Sequence, residues 1–427
     1  MLSKRFENSR AAKFLVWSFL TIVALMPIHT FFTTWLSSNT GGEEVIKAWK
    51  EILLLLNGFV LLYLLRKYRK VIWPILTRPV NVLIFMYLLW HLVAWAIHGV
   101  EADAAIAGIM INGRFLAIFV LAQVVIKLVK KRAFEKLAEK LFLTGAGLVA
   151  LIGTLQALVL DKDILTHFGY GEDTVRPYIN LDKNEDLVRI NSTLRGPNPL
   201  GAYLILPILT VVNKIKRQIA PKWLYYALFM LVAMLFSFSR SAWLGLAVAL
   251  GVYVLLVLSR YPRYMAYAVT IIILTIMLAL SAVTIGQDSY WVQTYVYHDD
   301  PNTGAAVSST EKHFEALGDA SEQVLENPLG EGPGTAGPAS RYNSETTRIS
   351  ENYFLQVGQE VGVIGLGLFL AINLVVAMQL WRQKHQPWPR LLLASFAGLT
   401  VVSLFLHGWA DDATSLLWWS FAGLYYR

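Results

Sequence analysis

Arg195 has the sequence surroundings of an anion-binding side chain. It lies in the segment Arg195-Gly196-Pro197-Asn198-Pro199, in which Asn198 and the proline after it predict a helix capped by Asn198. A guanidinium three residues before a helix N-terminus favours a phosphate, because the free backbone N–H groups of the helix attract the same anion. An arginine that merely meets a lipid phosphate at a membrane surface has the same spacing.

A second arginine, Arg240, stands in Ser239-Arg240-Ser241 between two long apolar segments that are only a few residues apart. A charged side chain at such a boundary is costly unless it is paired, which makes Arg240 a candidate functional residue. The alternative is that its guanidinium extends outward to polar headgroups along an aliphatic stem.

The carboxylates of Glu351 and Glu360 are candidates for proton transfer. Ser350 predicts a helix N-cap and places Glu351 in the first turn, where a carboxylate also complements the helix dipole. Glu360 is about 13.5 Å further along such a helix and on its opposite face, so the two carboxylates cannot form an acid–base pair. We interpret Glu360 as a buried packing residue.

The segment 327–338 is rich in glycine and proline and follows a helix predicted at residues 309–326. Gly332 and Gly334 in this segment favour a loop that approaches another group closely, as at a ligand. The segment is not a nucleotide phosphate loop, because no Gly-Lys-Ser/Thr follows the glycines.

Further charged residues near the predicted helix ends allow two interpretations. They line a polar cleft or only cap helices: Lys47, Lys50, Glu51 and Arg114. The pair Asp411–Asp412 is expected to be solvated in a short turn. The histidines show no metal-ligand spacing and the chain has no cysteine, so neither a metal nor a cofactor is expected.

Apolar helices must position these side chains. Only 15% of the 427 residues are charged and 56% are hydrophobic, whereas soluble domains carry about 25% charged residues. We therefore predict an all-α polytopic membrane protein with a single membrane domain over residues 1–427 and about twelve transmembrane helices. The predicted spans are residues 12–32, 45–65, 80–98, 104–126, 141–160, 198–213, 223–238, 241–259, 265–285, 352–381, 391–408 and 415–426.

The positions of the basic residues predict the orientation in the membrane. Of the 37 Lys and Arg, 25 fall in residues 1–13, the C-terminal segment and five short connections, which hold only three of the 29 Asp and Glu. The positive-inside rule makes these segments cytoplasmic, including both termini. Residues 161–197 and 286–350 are then extracytoplasmic loops, and the excess of basic residues needs no nucleic-acid partner.

Three motifs occur in order along the chain: Arg195-Gly196-Pro197-Asn198, Ser239-Arg240, and Asn327-Pro328-Leu329-Gly330-Glu331-Gly332-Pro333-Gly334. Asn352 is followed, after nine residues, by Gly362-Val363-Ile364-Gly365. Together these motifs resemble the O-antigen ligase family, which also contains the Wzy-type polymerases of bacterial surface glycans. The resemblance covers roughly residues 190–370.

The resemblance implies a glycosyltransferase of the GT-C type in the bacterial cytoplasmic (inner) membrane. Its donor would be a polyprenyl-diphosphate-linked glycan, and its acceptor a hydroxyl on a glycolipid, glycan or protein. The family's arginines are thought to hold the donor diphosphate, which maps onto Arg195 and Arg240. Glu351 takes the place of the family's histidine, which is proposed to activate the acceptor hydroxyl. The reaction expected from this arrangement is a single inverting displacement that needs no metal.

The same resemblance extends to residues expected to contact the substrate. Lys312 falls near a position where many relatives carry a further arginine. The full set is Asn198, Lys312, Asn352, Gly332 and Gly334.

Three alternatives remain open at the level of the sequence. The enzyme could be a ligase or a polymerase, which the motifs do not separate. Twelve spans with both termini on one side are also common among secondary transporters, although those place ionisable residues near the bilayer midplane. A non-catalytic membrane scaffold would have no need of the two arginines.

Overall fold

The computed structural model of the protein describes residues 2–181, 184–290, 292–297, 309–344, 348 and 350–427, and for residues 184–186, 276 and 309–313 it describes the backbone alone. The side chain of Lys312, which was expected to contact the substrate, therefore lies outside the described part of the chain.

Helices form almost all of the described chain, and one lies at each of the predicted spans. The α-helices are α1 (Arg10–Leu25), α2 (His29–Thr40), α3 (Glu43–Lys47), α4 (Trp49–Lys67), α5 (Arg69–Leu76), α6 (Pro79–His98), α7 (Ala102–Leu128), α8 (Lys131–Leu158), α9 (Pro197–Arg217), α10 (Pro221–Phe236), α11 (Arg240–Leu258), α12 (Pro262–Ile285), α13 (Ser309–Glu326), α14 (Tyr353–Arg382), α15 (Pro387–Ser403) and α16 (Asp412–Tyr425).

Eight helical segments of the described residues are long and apolar enough to cross a membrane. They are Arg10–Thr40, which joins α1 and α2, together with α6, α7, α8, α9, α11, α12 and α14. The other predicted spans correspond to α4, which carries charges at both ends, and to the shorter helices α10, α15 and α16. The all-α polytopic membrane fold is confirmed, and the number of twelve crossings stays a prediction.

The start of α9 differs from the prediction. We expected Asn198 to cap this helix, which is wrong, because α9 begins at Pro197 and Gly196 occupies the N-cap position. Pro197 already supplies the φ angle of a first helical turn, and its missing N–H is not needed there. Proline opens α6, α10, α12 and α15 in the same way.

The start of α14 also differs from the prediction. Asn352 rather than Ser350 is the N-cap, and its Oδ1 accepts hydrogen bonds from the backbone N–H groups of Phe354 (2.8 Å) and Leu355 (3.0 Å). Glu351 therefore precedes the helix, in the left-handed region with φ of +47°. The prediction that Glu351 lies in the first helical turn is wrong, because the helix is capped by Asn352, two residues after Ser350.

Small residues let pairs of helices approach closely. Helix α11 packs along α15, where a Cβ at Gly245 would lie 2.8 Å from the carbonyl oxygen of Gly398. Helix α7 packs along α16, where a Cβ at Gly423 would lie 2.4 Å from the carbonyl oxygen of Phe119. The second contact brings the later turns of α7 and α16 close together.

The predicted loop 161–197 contains a feature that the sequence did not reveal. Strands β1 (Tyr178–Leu181) and β2 (Asn184–Ile190) form an antiparallel hairpin with Tyr178 opposite Ile190. In the other long loop, α13 has the predicted bounds and packs against α14.

A glycine-rich segment, residues 328–334, is bound by backbone hydrogen bonds to α14 where that helix is kinked. Gly332 N–H donates to the carbonyl oxygen of Glu360 (2.8 Å), and Val363 N–H donates to that of Pro328 (2.9 Å). The kink lies at Val361 and Gly362, whose φ and ψ angles are non-helical. The loop thus satisfies the backbone groups that the kink removes from the helix.

Glu360 secures the same segment with its side chain. Its Oε1 accepts the backbone N–H of Gly334 (2.9 Å), and its Oε2 accepts Nδ2 of Asn112 on α7 (2.6 Å). Glu360 is fully buried. The interpretation of Glu360 as a buried packing residue is confirmed.

Replacing Gly334 by Ala should lower the thermal unfolding midpoint of the detergent-solubilised protein by several degrees. Gly334 has a φ of +84°, and an added Cβ would lie 2.0 Å from the carbonyl oxygen of Ala104. Backbone strain and overpacking together cost about 3 kcal/mol or more. Gly318→Ala, in open space on α13, is the matched control and should leave the midpoint unchanged or raise it. Equal midpoints for the two variants would contradict the role assigned to this close approach.

Candidate functional site

A cavity of about 620 Å³ opens at one end of the helical bundle. Its walls come from the starts of α4, α7 and α16, from Arg195 just before α9, and from residues 338–342. The chain reaches this end of the bundle after α1, at His29, so it is the end that the charge distribution predicts to be extracytoplasmic. The titratable residues of the lining are His29, Glu43, Glu44, Lys47, Lys50, Glu51, Asp103, Arg114, Arg195, Arg341 and Asp412.

Four of these residues form a network of paired charges. Lys50 Nζ lies 3.1 Å from Glu51 Oε2 and 3.0 Å from Asp412 Oδ2. Arg114 Nη1 lies 2.9 Å from Glu51 Oε1, and its Nη2 pairs with Asp412. The side chains of Lys50, Glu51 and Arg114 are less than 10% exposed, so each charge depends on its partners rather than on water. Of the two interpretations left open for these residues, the polar cleft is confirmed.

The expectation that Asp411 and Asp412 are solvated in a turn is wrong. Asp412 pairs with Lys50 and Arg114, and Asp411 Oδ1 accepts the backbone N–H of Thr414 (3.0 Å) as the cap of α16. Burial raises the pKa of Asp411, and the charge of Arg195 opposes that shift. The packing of α16 along α7 brings both carboxylates inward.

Arg195 and Arg341 differ from the paired cations. Both side chains are exposed in the cavity, and within the described ranges neither forms an ion pair with a carboxylate. Arg341 Nη2 donates to the hydroxyl oxygen of Tyr342 (2.6 Å). Lys47 pairs with Glu43 and is repelled by both Arg341 and Arg195. An anion bound among these three cations would relieve that repulsion.

His407 connects Arg195 with Glu351. Its pKa is lowered to about 4, first by burial and then by the charge of Arg195, while attraction to Glu351 opposes that shift. His407 is therefore neutral at pH 7, and its Nδ1 lies 3.0 Å from Oε1 of Gln356 on α14. These interactions place Glu351, His407 and Arg195 within range of one another's charge.

Arg240 belongs to a second group of cations and is not among the residues that line the cavity. It donates to the backbone carbonyl oxygens of Val296 (2.8 Å) and Tyr297 (2.9 Å). Burial, with a contribution from the charge of Arg240, lowers the pKa of Arg189 on β2 to about 10. The structure thus places Arg195 in the cavity and Arg240 beside Arg189.

The side chains of two predicted substrate contacts, Asn198 and Asn352, have protein partners in this structure. Asn198 Oδ1 accepts Nη2 of Arg189 (2.7 Å), and Asn352, besides capping α14, donates to the carbonyl oxygen of Leu404 (3.0 Å). A Cβ at Gly332 would meet the side chain of Val100 (2.4 Å). The close approach predicted for Gly332 and Gly334 is therefore made to the segment that begins α7.

Sequence reasoning missed three residues of these groups: Arg341, His407 and Arg189. Arg341 lies in a short 3-10 helix, Gly337–Tyr342, directly after the glycine-rich segment. A positive charge that follows such a loop was the available signal. No sequence signal marked His407 or Arg189, because the groups near them lie on helices that are distant in the sequence, α14 for His407 and α11 for Arg189.

This arrangement is suited to binding an anion such as a phosphate or diphosphate. Two exposed guanidinium groups provide donors in the fork geometry that phosphate oxygens accept. Among the described residues no three His, Asp or Glu side chains are grouped as a metal site requires. The carboxylate of Glu351 and the neutral imidazole of His407, which interact electrostatically, are both able to accept a proton.

Replacing Asp412 by Asn should reduce the free energy of unfolding by about 3 kcal/mol, because Lys50 and Arg114 each lose a counter-charge and keep only Glu51. Thermal unfolding in detergent measures the effect. The matched control is Asp103→Asn, an exposed carboxylate of the same cavity, which should unfold with the parent. If Asp412→Asn also unfolds with the parent, the network does not stabilise the bundle.

Comparison with known proteins finds one family model that matches part of the chain. Residues 225–370 match the family model described as O-antigen ligase, a segment that includes Arg240, Arg341 and Glu351 and does not extend to Arg195. No curated protein matches the chain. The matched segment contains the second long loop and its return into α14, which carry two of the motifs read from the sequence. Over residues 225–370, about a third of the chain, this protein is therefore similar to the O-antigen ligase family.

Proposed function

We propose that this protein transfers a glycan from a polyprenyl-diphosphate carrier to a hydroxyl acceptor at the outer face of the bacterial cytoplasmic membrane. The match of residues 225–370 to the O-antigen ligase family model supports a membrane glycosyltransferase of that general type, which acts on glycolipid or glycan substrates. The donor, the site and the mechanism are our proposal. The observation that carries it is the pair of exposed guanidinium groups, Arg195 and Arg341, in a cavity at the end of the bundle.

The charges of the cavity support a diphosphate as the bound group. Lys50 and Arg114 are already neutralised by Glu51 and Asp412, so they provide a fixed polar wall rather than free charge. Arg195 and Arg341 keep their donors available. Arg195 also immediately precedes Gly196, the N-cap of α9, so it lies in sequence at the positive end of this helix dipole. Because Pro197 and Pro199 have no N–H, Asn198 is the residue of the first three that can donate a backbone N–H there.

The proposed reaction is a single displacement at the anomeric carbon of the donor glycan. The acceptor oxygen forms the new bond while the bond to the lipid diphosphate breaks, and negative charge develops on the departing oxygen. Each well-aimed donor to that oxygen contributes about 3 kcal/mol of transition-state stabilisation. We assign this task to Arg195 and Arg341.

Glu351 is the proposed base for the acceptor hydroxyl. It precedes α14 and interacts electrostatically with His407, which in turn interacts with Arg195, so a carboxylate lies near the proposed diphosphate site. The left-handed backbone at Glu351 is a strained conformation that fixes where its side chain begins. His407 is the neighbouring group that could accept the proton instead.

Arg240 remains part of the proposal as a contact for the donor. Arg240 and Arg189 are the second group of cations described above. The guanidinium of Arg189 also donates to the side chain of Asn198. We propose that this group binds oxygens of the donor glycan or of its diphosphate. Lys312 remains a proposed substrate contact on the same grounds as in the sequence.

The orientation in the membrane supports chemistry at the outer face. The connections predicted to be cytoplasmic are short and basic, whereas both long loops and the cavity lie at the other end of the bundle. We propose that both termini are cytoplasmic and that the cavity opens to the outside, where carrier-linked glycans would be bound.

Arg195→Ala and Arg341→Ala should each lower the rate of glycan transfer by a factor of about 100 to 1,000, because each removes one donor to the leaving oxygen. The measurement is release of polyprenyl diphosphate from a polyprenyl-diphosphate glycan by purified protein. Arg176→Ala is the matched control, since Arg176 is an exposed arginine that pairs with Glu172 in the other outer loop. Parental rates for both cavity variants, with folding intact, would exclude the proposed diphosphate site.

Glu351→Gln should reduce turnover by a factor of about 100 to 10,000 while donor binding stays intact, because the amide cannot take the proton. Glu172→Gln, at an exposed position, is the matched control. His407→Gln decides between the two neighbouring bases and should retain most of the turnover. Loss of turnover in His407→Gln with normal turnover in Glu351→Gln would transfer the role of base to His407.

A further inference from the structure

A second cavity of about 440 Å³ lies between α4, α6 and α7, and its lining is almost entirely apolar. We call it the tail cleft. It is lined along α4 by Leu54, Gly58 and Leu61, and on α6 by residues that include Val82 and Phe85. Helices α4 and α6 each pack against α7, which forms the base of the cleft.

The tail cleft continues the charged cavity along the same two helices. On α4 the charged cavity ends at Lys50 and Glu51, and the tail cleft begins at Leu54, about one helical turn further. On α7 the charged cavity includes Arg114, and the tail cleft begins at Ala117. The cleft then extends along α4 to Leu61, which is about 10 Å of helical rise.

An apolar stripe on α7 joins the two cavities. Ile106 and Met110 line the charged cavity, and Ala117 and Leu121 line the tail cleft. Positions 106, 110, 117 and 121 fall on one face of a helix with 3.6 residues per turn. The same face of α7 therefore borders both cavities, with apolar side chains on either side of Arg114.

The tail cleft is open at its side. Gly58, Val82, Phe85 and Ala117 are all exposed, and a Cβ added at Gly58 would have nothing within 4 Å. In a membrane this opening faces the acyl chains of the lipid. An apolar chain can enter it sideways from the bilayer without passing through water.

We infer that the tail cleft binds the isoprenoid chain of a diphosphate lipid whose diphosphate occupies the charged cavity. A ligand that fills both spaces needs an anionic head and an apolar tail in line, and the cations Arg195 and Arg341 select the head. This inference rests on the proposed function, because it names the part of the donor that the outer cavity does not hold.

The physical role of the cleft is to orient the donor rather than to remove its tail from water. The bilayer is as apolar as the cleft lining, so moving the chain between them gains little hydrophobic free energy. Shape and contact in the cleft fix where the tail leaves the diphosphate, and thereby where the bond to the glycan lies. Blocking the cleft should raise the KM for the donor and leave kcat largely unchanged.

Gly58→Leu and Ala117→Leu test this inference, because both fill the cleft without touching the charged cavity. Leucine is a strong helix former, and Gly58 has open space for it. Gly367→Leu is the matched control, since Gly367 on α14 is also exposed and its added Cβ also meets nothing within 4 Å. The donor is presented in nanodiscs, once with a long polyprenyl chain and once with a single isoprene unit.

We expect both cleft variants to raise the KM for the long-chain donor about tenfold, the discrimination that one apolar pocket usually provides. The KM for the one-isoprene donor should stay at the parental value, and Gly367→Leu should match the parent with both donors. Parental KM values in both cleft variants would overturn the inference while leaving the proposed function intact.

Photo-labelling separates failure of this inference from failure of the proposed function. The probe is a farnesyl diphosphate that carries a benzophenone at the end of its isoprenoid chain. We expect adducts on α4, α6 or α7, reduced by Gly58→Leu and by excess unlabelled polyprenyl diphosphate. Adducts elsewhere, or labelling displaced equally well by phosphatidylglycerol, would overturn the inference. This result is obtained whether or not the purified parent transfers glycan.

Discussion

The pairing of Lys50, Glu51, Arg114 and Asp412 is the interaction on which the architecture of the site depends. An unpaired charge in an apolar bundle costs several kcal/mol, so each of these side chains requires the helix that carries its partner. Lys50 and Glu51 belong to α4, Arg114 to α7 and Asp412 to α16. The network therefore sets the three helix ends relative to one another and leaves a cavity between them. Because the buried charges of the cavity pair with one another, Arg195 and Arg341 are the lining cations whose donors we assign to a ligand.

Arg341 reaches this cavity because irregular backbone is tolerated inside a membrane bundle only where its polar groups are satisfied. The glycine-rich segment donates its N–H groups to carbonyl oxygens at the kink of α14, and the side chain of Glu360 takes the N–H of Gly334. Glycines at positive φ permit this close approach to α7 and α14. The glycine-rich segment therefore acts at a distance from the chemistry, by fixing the start of the short helix that carries Arg341.

The charged cavity and the tail cleft together describe an amphiphilic ligand. One end of α4 and α7 presents paired and free charges, and the next turns of the same helices present an apolar surface that opens to the side. A soluble sugar phosphate would have no use for the cleft, and a neutral lipid would have no use for the guanidinium groups. The proposed carrier-linked donor uses both, and it can reach them by diffusion within the membrane.

The sequence by itself determined the helical membrane fold, because the length of each apolar run depends only on consecutive residues. It also proposed Arg195 as an anion-binding residue from its local surroundings and Glu351 as a base from the family resemblance, and both remain predictions. It misplaced the caps of α9 and α14 by two residues each, because the observed caps Gly196 and Asn352 have neighbours, Asn198 and Ser350, with similar capping ability. Those competitions are decided by small differences in free energy that a local pattern does not contain.

Only the tertiary structure decided which charges are paired and which remain available to a ligand. Asp412 was expected to be solvated and instead neutralises Arg114, while Arg195 and Arg240, which looked equivalent, lie in different groups of cations. A charge is stabilised by whatever group lies within a few ångströms, and in this bundle those groups come from helices hundreds of residues apart. The sequence therefore identifies the side chains capable of the chemistry, and helix packing selects the ones that are free to perform it.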